Sequence, residues 1–358
     1  MSRKRVVVAM SGGVDSSVAA GLLSEAGYEV LGVTMRLWTA ENAAESRHHK
    51  RCCSVEDTDD ARAAADVLGV RHYVLNLEKE FSTGVVDHFV REYTLGRTPN
   101  PCLACNDRVK FRPLMQHAQT LGADFLATGH HARIRRNGHG FELRRAVDPS
   151  KDQSYVLYTL GQRELSRTLF PVGELTKKEI RRLARDWRLP NAEKPDSADI
   201  CFIPSGDYRA FVHERVPARA GAIVDTGGET IGEHPGIHNY TVGQRRRLPA
   251  RGGGEPLYVV GLDAETNTIV VGESSDLYAE GLMAEELSFV SGEAPPDKIS
   301  VEARIRYRSE PVPSTLHIQG GHAEVRFETA QRAVTPGQAV VFNHGDCVIG
   351  GGTIVKPI

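Results

Sequence analysis

The feature that most restricts what this chain can fold into is a six-residue loop, Ser11-Gly12-Gly13-Val14-Asp15-Ser16, set between an apolar run at residues 5–10 and a helical pattern at 17–26 that Gly27 can close. Adjacent glycines at a strand-to-helix junction leave backbone N–H groups unobstructed at the positive end of a helix dipole, which makes an anion cradle. The alternation continues with a strand at 28–38, a helix at 57–68 punctuated by Gly69, a strand at 71–77, a helical stretch at 81–95, a helix with Phe111, Leu114, Met115, Ala118 and Leu121 on one face, and a strand at 123–128. Such alternation predicts an α/β domain, a doubly wound parallel sheet covered on both faces.

Asn137-Gly138 lies between two short extended runs and predicts a hairpin, and Thr176-Lys177-Lys178-Glu179 is a capping box opening a helix with Ile180, Leu183, Ala184 and Trp187 as its buried stripe. Its lysines and arginines, Lys177 included, are assigned to the outer faces. From about residue 206 the pattern turns to short segments separated by Gly, Pro, Asn and Asp, which predicts β structure. A break rich in Gly, Pro and acidic residues at 291–298 divides this part, giving three expected domains: 1–205, with a basic helical extension at about 133–190, a central β domain at 206–290 and a C-terminal β-barrel at 291–358.

No apolar run approaches the length of a membrane span, and the apolar run behind the basic Arg3-Lys4-Arg5 is too short for a signal peptide. Six cysteines in 358 residues, two of them as Cys102-Leu103-Ala104-Cys105, argue for thiol or metal chemistry in a reducing compartment, so the cytoplasm is the expected location and no membrane partner is expected. The net charge is only -2, yet residues 133–188 hold 14 Lys and Arg against 7 Asp and Glu, a zone suited to a polyanion.

The loop lacks the lysine of a Walker motif and resembles the pyrophosphate loop of the ATP pyrophosphatases, which cleave ATP between its α and β phosphates. Further blocks, in chain order, resemble the tRNA-specific 2-thiouridylases: Cys52-Cys53-Ser54, residues 96–101, Ala127-Thr128-Gly129-His130, Lys151-Asp152-Gln153-Ser154-Tyr155, Cys201-Phe202-Ile203, residues 238–245 and Ala303-Arg304-Ile305-Arg306-Tyr307. That resemblance implies an adenine nucleotide α-hydrolase-like PP-loop fold and an enzyme that adenylates O2 of the wobble uridine (U34) of tRNA and replaces it with sulfur. It implies ATP binding by Ala9, Met10, Ser11, Gly12, Gly13, Val14, Asp15, Ser16, Met35 and Gly129, with Mg²⁺ near Asp15. It implies Cys105 as the catalytic thiol and Cys201 as carrier of a persulfide from a cysteine desulfurase or sulfur relay protein. Asn100, Pro101 and Cys102 would surround the target base; His130, Lys151, Asp152, Gln153, Arg306, Tyr307 and Gln338 would contact tRNA.

Many members of that family carry Asp where this chain has Cys102, and Ala9 replaces a more usual Gly. Three thiolates, Cys102, Cys105 and Cys201, therefore admit a second reading, a [4Fe-4S] cluster with one open iron. Two further alternatives stay open: a PP-loop ligase that amidates a small metabolite, and an RNA-binding zinc protein in which the glycine loop is only a turn. Cys52 and Cys53, with His48 and His49 nearby, match no ordinary zinc spacing. Arg245-Arg246-Arg247 is read as an RNA or active-site contact, and Cys347 as a buried small hydrophobe.

Overall fold

A computed structural model describes residues 3–38, 55–196, 200–203, 206–249 and 256–358, so the Cys52-Cys53 segment lies outside the described residues. Strands β1 (Arg5–Ala9), β2 (Glu29–Arg36), β3 (Arg71–Asn76) and β4 (Phe125–Thr128) are followed by a hairpin, β5 (Ala132–Asn137) and β6 (Gly140–Arg145), and by the short β7 (Thr168–Leu169). The parallel sheet runs β3-β2-β1-β4-β7. β1 is apolar from Val6 to Ala9 because both of its faces are covered there. Val6, Val8 and Met10 enter a cluster with helices α1 (Val14–Glu25) and α2 (Val55–Val67), while Val7 and Ala9 enter a second cluster on the opposite face.

The chain winds outward from β1 through β2 to β3 and then crosses back to β4, so the strand order reverses between β1 and β4. In open α/β sheets that reversal opens a crevice at the carboxyl ends of the strands, where ligands bind. The 11–16 loop leaves β1, and Gly129 to His131 leave β4, at that crevice.

A four-stranded sheet follows, order β10-β11-β8-β9, from β8 (Gly221–Asp225), β9 (Thr230–His234), β10 (Tyr258–Asp263) and β11 (Thr268–Gly272). Beyond it, β12 (Tyr278–Phe289), β13 (Lys298–Arg304), β14 (Val312–Gln319), β15 (His322–Arg332), β16 (Ala339–His344) and β17 (Cys347–Pro357) close an antiparallel barrel, because β12 pairs with both β15 and β17. One expectation needs correction. The stretch at 291–298 links β12 to β13 within one barrel and does not separate two β units. The cysteine segment is helical at Pro101–Cys105, since Asn100 Oδ1 accepts from Cys102 N at 3.0 Å and Pro101 presets the first turn.

The predicted hairpin forms, and β6 pairs with β17, so the barrel grips the first domain through it. Asp346 receives Arg133 at 2.8 Å and Arg144 at 3.0 Å at this seam. The basic zone is thus partly neutralised from within: Arg133, Arg144, Lys151, Lys177 and Arg181 all face acids, while Arg135, Arg136, Lys178, Arg182 and Arg188 are exposed. No helix among the described residues is long and apolar enough to cross a membrane.

Candidate active site at the switch point

The loop after β1 is shaped for an anion. Gly13 is the N-cap of α1 and has no side chain to cap it, so the first-turn N–H groups of Val14, Asp15 and Ser16 have no acceptor within the helix. Gly12 sits at φ +74°, and a Cβ there would lie 2.3 Å from the carbonyl oxygen of Asp57. Gly129 is needed for close approach, since its Cβ would lie 2.6 Å from Ser16 N. Ser16 Oγ donates to the Gly13 carbonyl at 3.0 Å, and the buried Asn191 donates from Nδ2 to the Gly12 carbonyl at 3.0 Å and to Ser17 Oγ at 2.9 Å. Ala9, Met10 and Met35 are buried around this loop, in the apolar clusters on either face of the sheet.

A charged network closes one side of the cradle. Lys177, first residue of the helix Lys177–Asp186, places Nζ 2.7 Å from each carboxylate oxygen of Asp15 and 2.8 Å from Asp196 Oδ1. The predicted capping box forms: Glu179 N donates to Thr176 Oγ1 and Thr176 N to Glu179 Oε2. Together with burial of Ile180 and Ala184 against α1, it fixes the helix so that Lys177 faces inward. His131 Nε2 lies 3.2 Å from Asp15 Oδ1 without an aligned hydrogen bond, so that contact is electrostatic, and both of its ring nitrogens are buried. Burial raises the Asp15 pKa, but His131 and the Lys177 ammonium outweigh it and hold the carboxyl below its usual range.

The cradle fits a nucleotide's phosphates. Asp15 is a suitable oxygen ligand for Mg²⁺, which takes one or two carboxylates plus phosphate oxygens, once Lys177 releases it.

The cysteines occupy different surroundings. Cys102, second in its helix and exposed, lies near Tyr307, whose hydroxyl is raised first by burial and then by Asp152 and Cys102. Cys105 is buried at the end of the same helix. Cys105 belongs to the apolar cluster that holds Ala9 and Met35, and Cys201 packs against that cluster; neighbouring Phe202 is wedged among Phe81, Phe89 and Phe211. Among the described residues no three Cys, His, Asp or Glu side chains converge as metal ligands. Cys102, Cys105 and Cys201 therefore form no ready cluster site, and the [4Fe-4S] reading finds no support in their geometry.

Several expected RNA contacts turn inward. The Asp152 carboxylate is fully buried, accepting from Ala146 N, Ser154 N, Ser154 Oγ and, at 3.0 Å, Arg304 of the barrel. His130 is buried between Phe111 and Phe170 with Nδ1 2.7 Å from Thr128 Oγ1, and burial, then Lys110 and His131, keep it neutral. Both side chains are buried.

Gln153 Oε1 accepts from His131 N at 2.9 Å, and Lys151 pairs with Asp196 at 2.9 Å. Gln338 Nε2 donates to the Thr98 carbonyl at 2.7 Å, holding the lead-in to the cysteine helix. Arg306 donates to the carbonyls of Arg332 and Ala333 in a cleft of about 320 Å³ where Thr98, Thr241 and Gln338 meet. Arg245, Arg246 and Arg247 are exposed.

Comparison with known proteins bears on what this crevice serves. Sequence profiles described as a tRNA methyl transferase HUP domain, a tRNA methyl transferase PRC-barrel domain and an aminomethyltransferase beta-barrel domain match residues 4–205, 209–273 and 279–354. A tRNA-specific 2-thiouridylase MnmA of Geobacter metallireducens is 50% identical over 99% of this chain and 97% of its own length. The one from Pelotomaculum thermopropionicum is 47% identical over 99% and 98%. The chain belongs to the tRNA-specific 2-thiouridylase family.

For a 2-thiouridylase, the residues most consequential at the cradle include several that sequence reading passed over. Lys177 was assigned to a solvated face, His131 to no role, and Asn191 and Asp196 to nothing. Lys194 also belongs with them, reaching Asp57 at 2.5 Å and Asp60 at 2.6 Å. Their one signal was position: Asn191, Lys194 and Asp196 run directly into the Cys201 block. Among solved structures, a 4-thiouridine synthetase–RNA complex with bound ATP overlaps at a TM-score of 0.33 and 19% identity, covering 60% of this chain and 50% of that one.

Proposed function

We propose that this chain is a tRNA-uridine 2-sulfurtransferase that activates O2 of a tRNA wobble uridine with ATP and Mg²⁺ and replaces it with cysteine-borne sulfur. The observation that carries this reading is a shared apolar cluster: Ala9 and Met35 beside the cradle, Cys105 within it and Cys201 against it. The apolar core behind the cradle is continuous with the surroundings of both thiols, which supports a coupling of ATP activation to thiol chemistry.

Uracil O2 is a poor leaving group, so it first attacks the α-phosphorus of ATP. Pyrophosphate departs with the electron pair of the broken P–O bond, and the uracil N3 proton passes to solvent. The terminal sulfur of a persulfide on Cys201 adds to C2, and AMP leaves with the former O2. The Cys105 thiolate then attacks Cys201 sulfur, the S–S electron pair stays on the base as 2-thiouridine, and a Cys105–Cys201 disulfide remains for an external thiol to reduce. Cys201, the less buried of the two, is the thiol open to a sulfur donor, a cysteine desulfurase or relay protein. Asn100, Pro101 and Cys102 border the base, and Tyr307, Arg306 and the exposed arginines of residues 133–188 meet the RNA.

The test is incubation of the purified chain with tRNA, Mg·ATP and a persulfide donor, followed by nucleoside mass spectrometry and a pyrophosphate assay. tRNA-dependent pyrophosphate release with 2-thiouridine formed is expected. A methylated or unchanged uridine, or pyrophosphate release indifferent to tRNA, would refute the reading.

A further inference from the structure

We propose that Asp15 and His131 form a mixed oxygen–nitrogen metal site, which lets the cradle hold a first-row transition-metal dication such as Mn²⁺ as well as Mg²⁺; the proposal rests on the reading above that a divalent cation accompanies phosphate here. A carboxylate alone suits Mg²⁺, a hard cation served by oxygen ligands. An imidazole nitrogen shifts the preference towards transition metals.

The His131 ring is 3% exposed, and neither of its nitrogens has a hydrogen-bond partner among the described residues. Buried polar atoms are rarely left so, because each has given up its hydration for nothing. Nε2 stands 3.2 Å from Asp15 Oδ1, yet the ring does not aim an N–H at that oxygen. Two adjacent ligands of one octahedral cation, each about 2.1 Å from it, lie about 3 Å apart and point past one another to a common centre. The His131–Asp15 pair has that spacing and that misalignment. A hydrogen bond between them would be aligned instead.

Both side chains are held in place from outside the pair. His131 N donates to Gln153 Oε1 at 2.9 Å, and the His131 carbonyl accepts from Gln153 N at 2.8 Å, which pins the backbone between β4 and β5. Asp15 lies in the first turn of α1, and the bare Gly129 lets that turn rest against the end of β4. Lys177 touches both Asp15 oxygens at 2.7 Å and need yield only Oδ1, the oxygen next to His131. No group of three candidate ligands occurs among the described residues, so this pair depends on phosphate oxygens and water to complete the shell.

Pyrophosphate contains no nitrogen, so Mn²⁺ bound beside it reports protein nitrogen alone. Electron spin echo envelope modulation of the full chain with Mn²⁺ and pyrophosphate is expected to show one directly bound imidazole nitrogen, and the signal is expected to change when the protein carries isotopically labelled histidine. His131→Gln is expected to lose the signal. In calorimetry with pyrophosphate present, the same variant is expected to bind Mn²⁺ about tenfold more weakly and Mg²⁺ within about twofold of the parent. That split marks a ligand, because a purely structural loss weakens both metals alike. Bound Mn²⁺ without nitrogen modulation in the parent, or equal weakening of the two metals in His131→Gln, overturns the proposal. The labelled parent decides the question by itself should His131→Gln fold poorly. A histidine nitrogen on Mn²⁺ in a chain that fails to thiolate tRNA would count against sulfur transfer and leave the metal site standing.

Discussion

Lys177 Nζ stands 2.7 Å from both carboxylate oxygens of Asp15, so a loop whose sequence contains no lysine receives one from 162 residues away. The contact ties the helix Lys177–Asp186 to the first turn of α1 and sets the charge of the cradle.

The loop geometry can be tested at Gly12. With φ at +74° and the Asp57 carbonyl 2.3 Å from where a Cβ would stand, Gly12→Ala has no accommodating backbone. Binding of a methylene ATP analogue is expected to fall more than about tenfold, since a local strain of 1–3 kcal/mol is concentrated where phosphate binds. Calorimetry at matched folded fractions reads this, and parent-like affinity would remove the loop from the site.

The division of labour among the cysteines follows from their surroundings. Cys105→Ser and Cys201→Ser should each abolish 2-thiouridine while leaving ATP-analogue binding intact, and Cys102→Ser should keep a measurable fraction of activity, with any loss in KM for tRNA. Nucleoside mass spectrometry after a fixed incubation distinguishes these. If all three serine variants were equally dead, the exposed Cys102 would belong with the other two, as a three-thiolate cluster requires.

Asp152 and Arg304 form a buried pair whose side chains are 0% and 10% exposed and which joins the first domain to the barrel. Arg304→Met leaves the buried Asp152 carboxylate with Arg145, 3.6 Å away, as its remaining cation and removes one charge-assisted hydrogen bond, a change that costs about 1.5–3 kcal/mol. The measurable result is a lower midpoint in urea unfolding. A mere loss of RNA affinity at parent stability would restore Asp152 to the RNA-contacting surface.

His88 gives a pH signature. Burial, then Arg108 and Arg91, lower its pKa to about 4, and Arg91 donates to Nδ1 at 3.1 Å, which requires the neutral ring. The folded-state pKa lies below the unfolded value of 6.5, so the contribution is whole above pH 6.5 and is lost as pH falls from 6.5 towards 4. The loss amounts to at most about 3 kcal/mol. Urea unfolding of the parent and of His88→Gln at pH 7.5 and pH 4.5 checks it, with the smaller decline expected in the variant. Equal declines would mean that other groups carry the acid sensitivity.

Local rules made much of the first domain legible. The apolar run of β1, the glycine pair, the Asn137-Gly138 turn and the Thr176–Glu179 box each act over a few residues, and each forms where expected. Tyr278–Phe289 is rich in Ala, Glu and Leu, which favour helix, and pairing with β15 and β17 on either side makes it a strand. The short helix at the cysteines is hard to read because Gly, Pro and Asn crowd its approach, although Asn100 and Pro101 are a good helix start.

The sequence by itself determined the anion-binding loop, its place at a strand-to-helix junction and the family to which the chain belongs, because these reside in contiguous residues with fixed backbone demands. Tertiary structure alone decided that Lys177 faces Asp15, that Asp152 and His130 are buried, and that Cys105 and Cys201 share one apolar cluster. Those facts depend on which side of a helix packs inward and on which distant segments meet. A salt bridge between residues 162 positions apart leaves no periodic mark in the chain, since its two ends are chosen by the packing of α1 against another helix rather than by any neighbour in sequence.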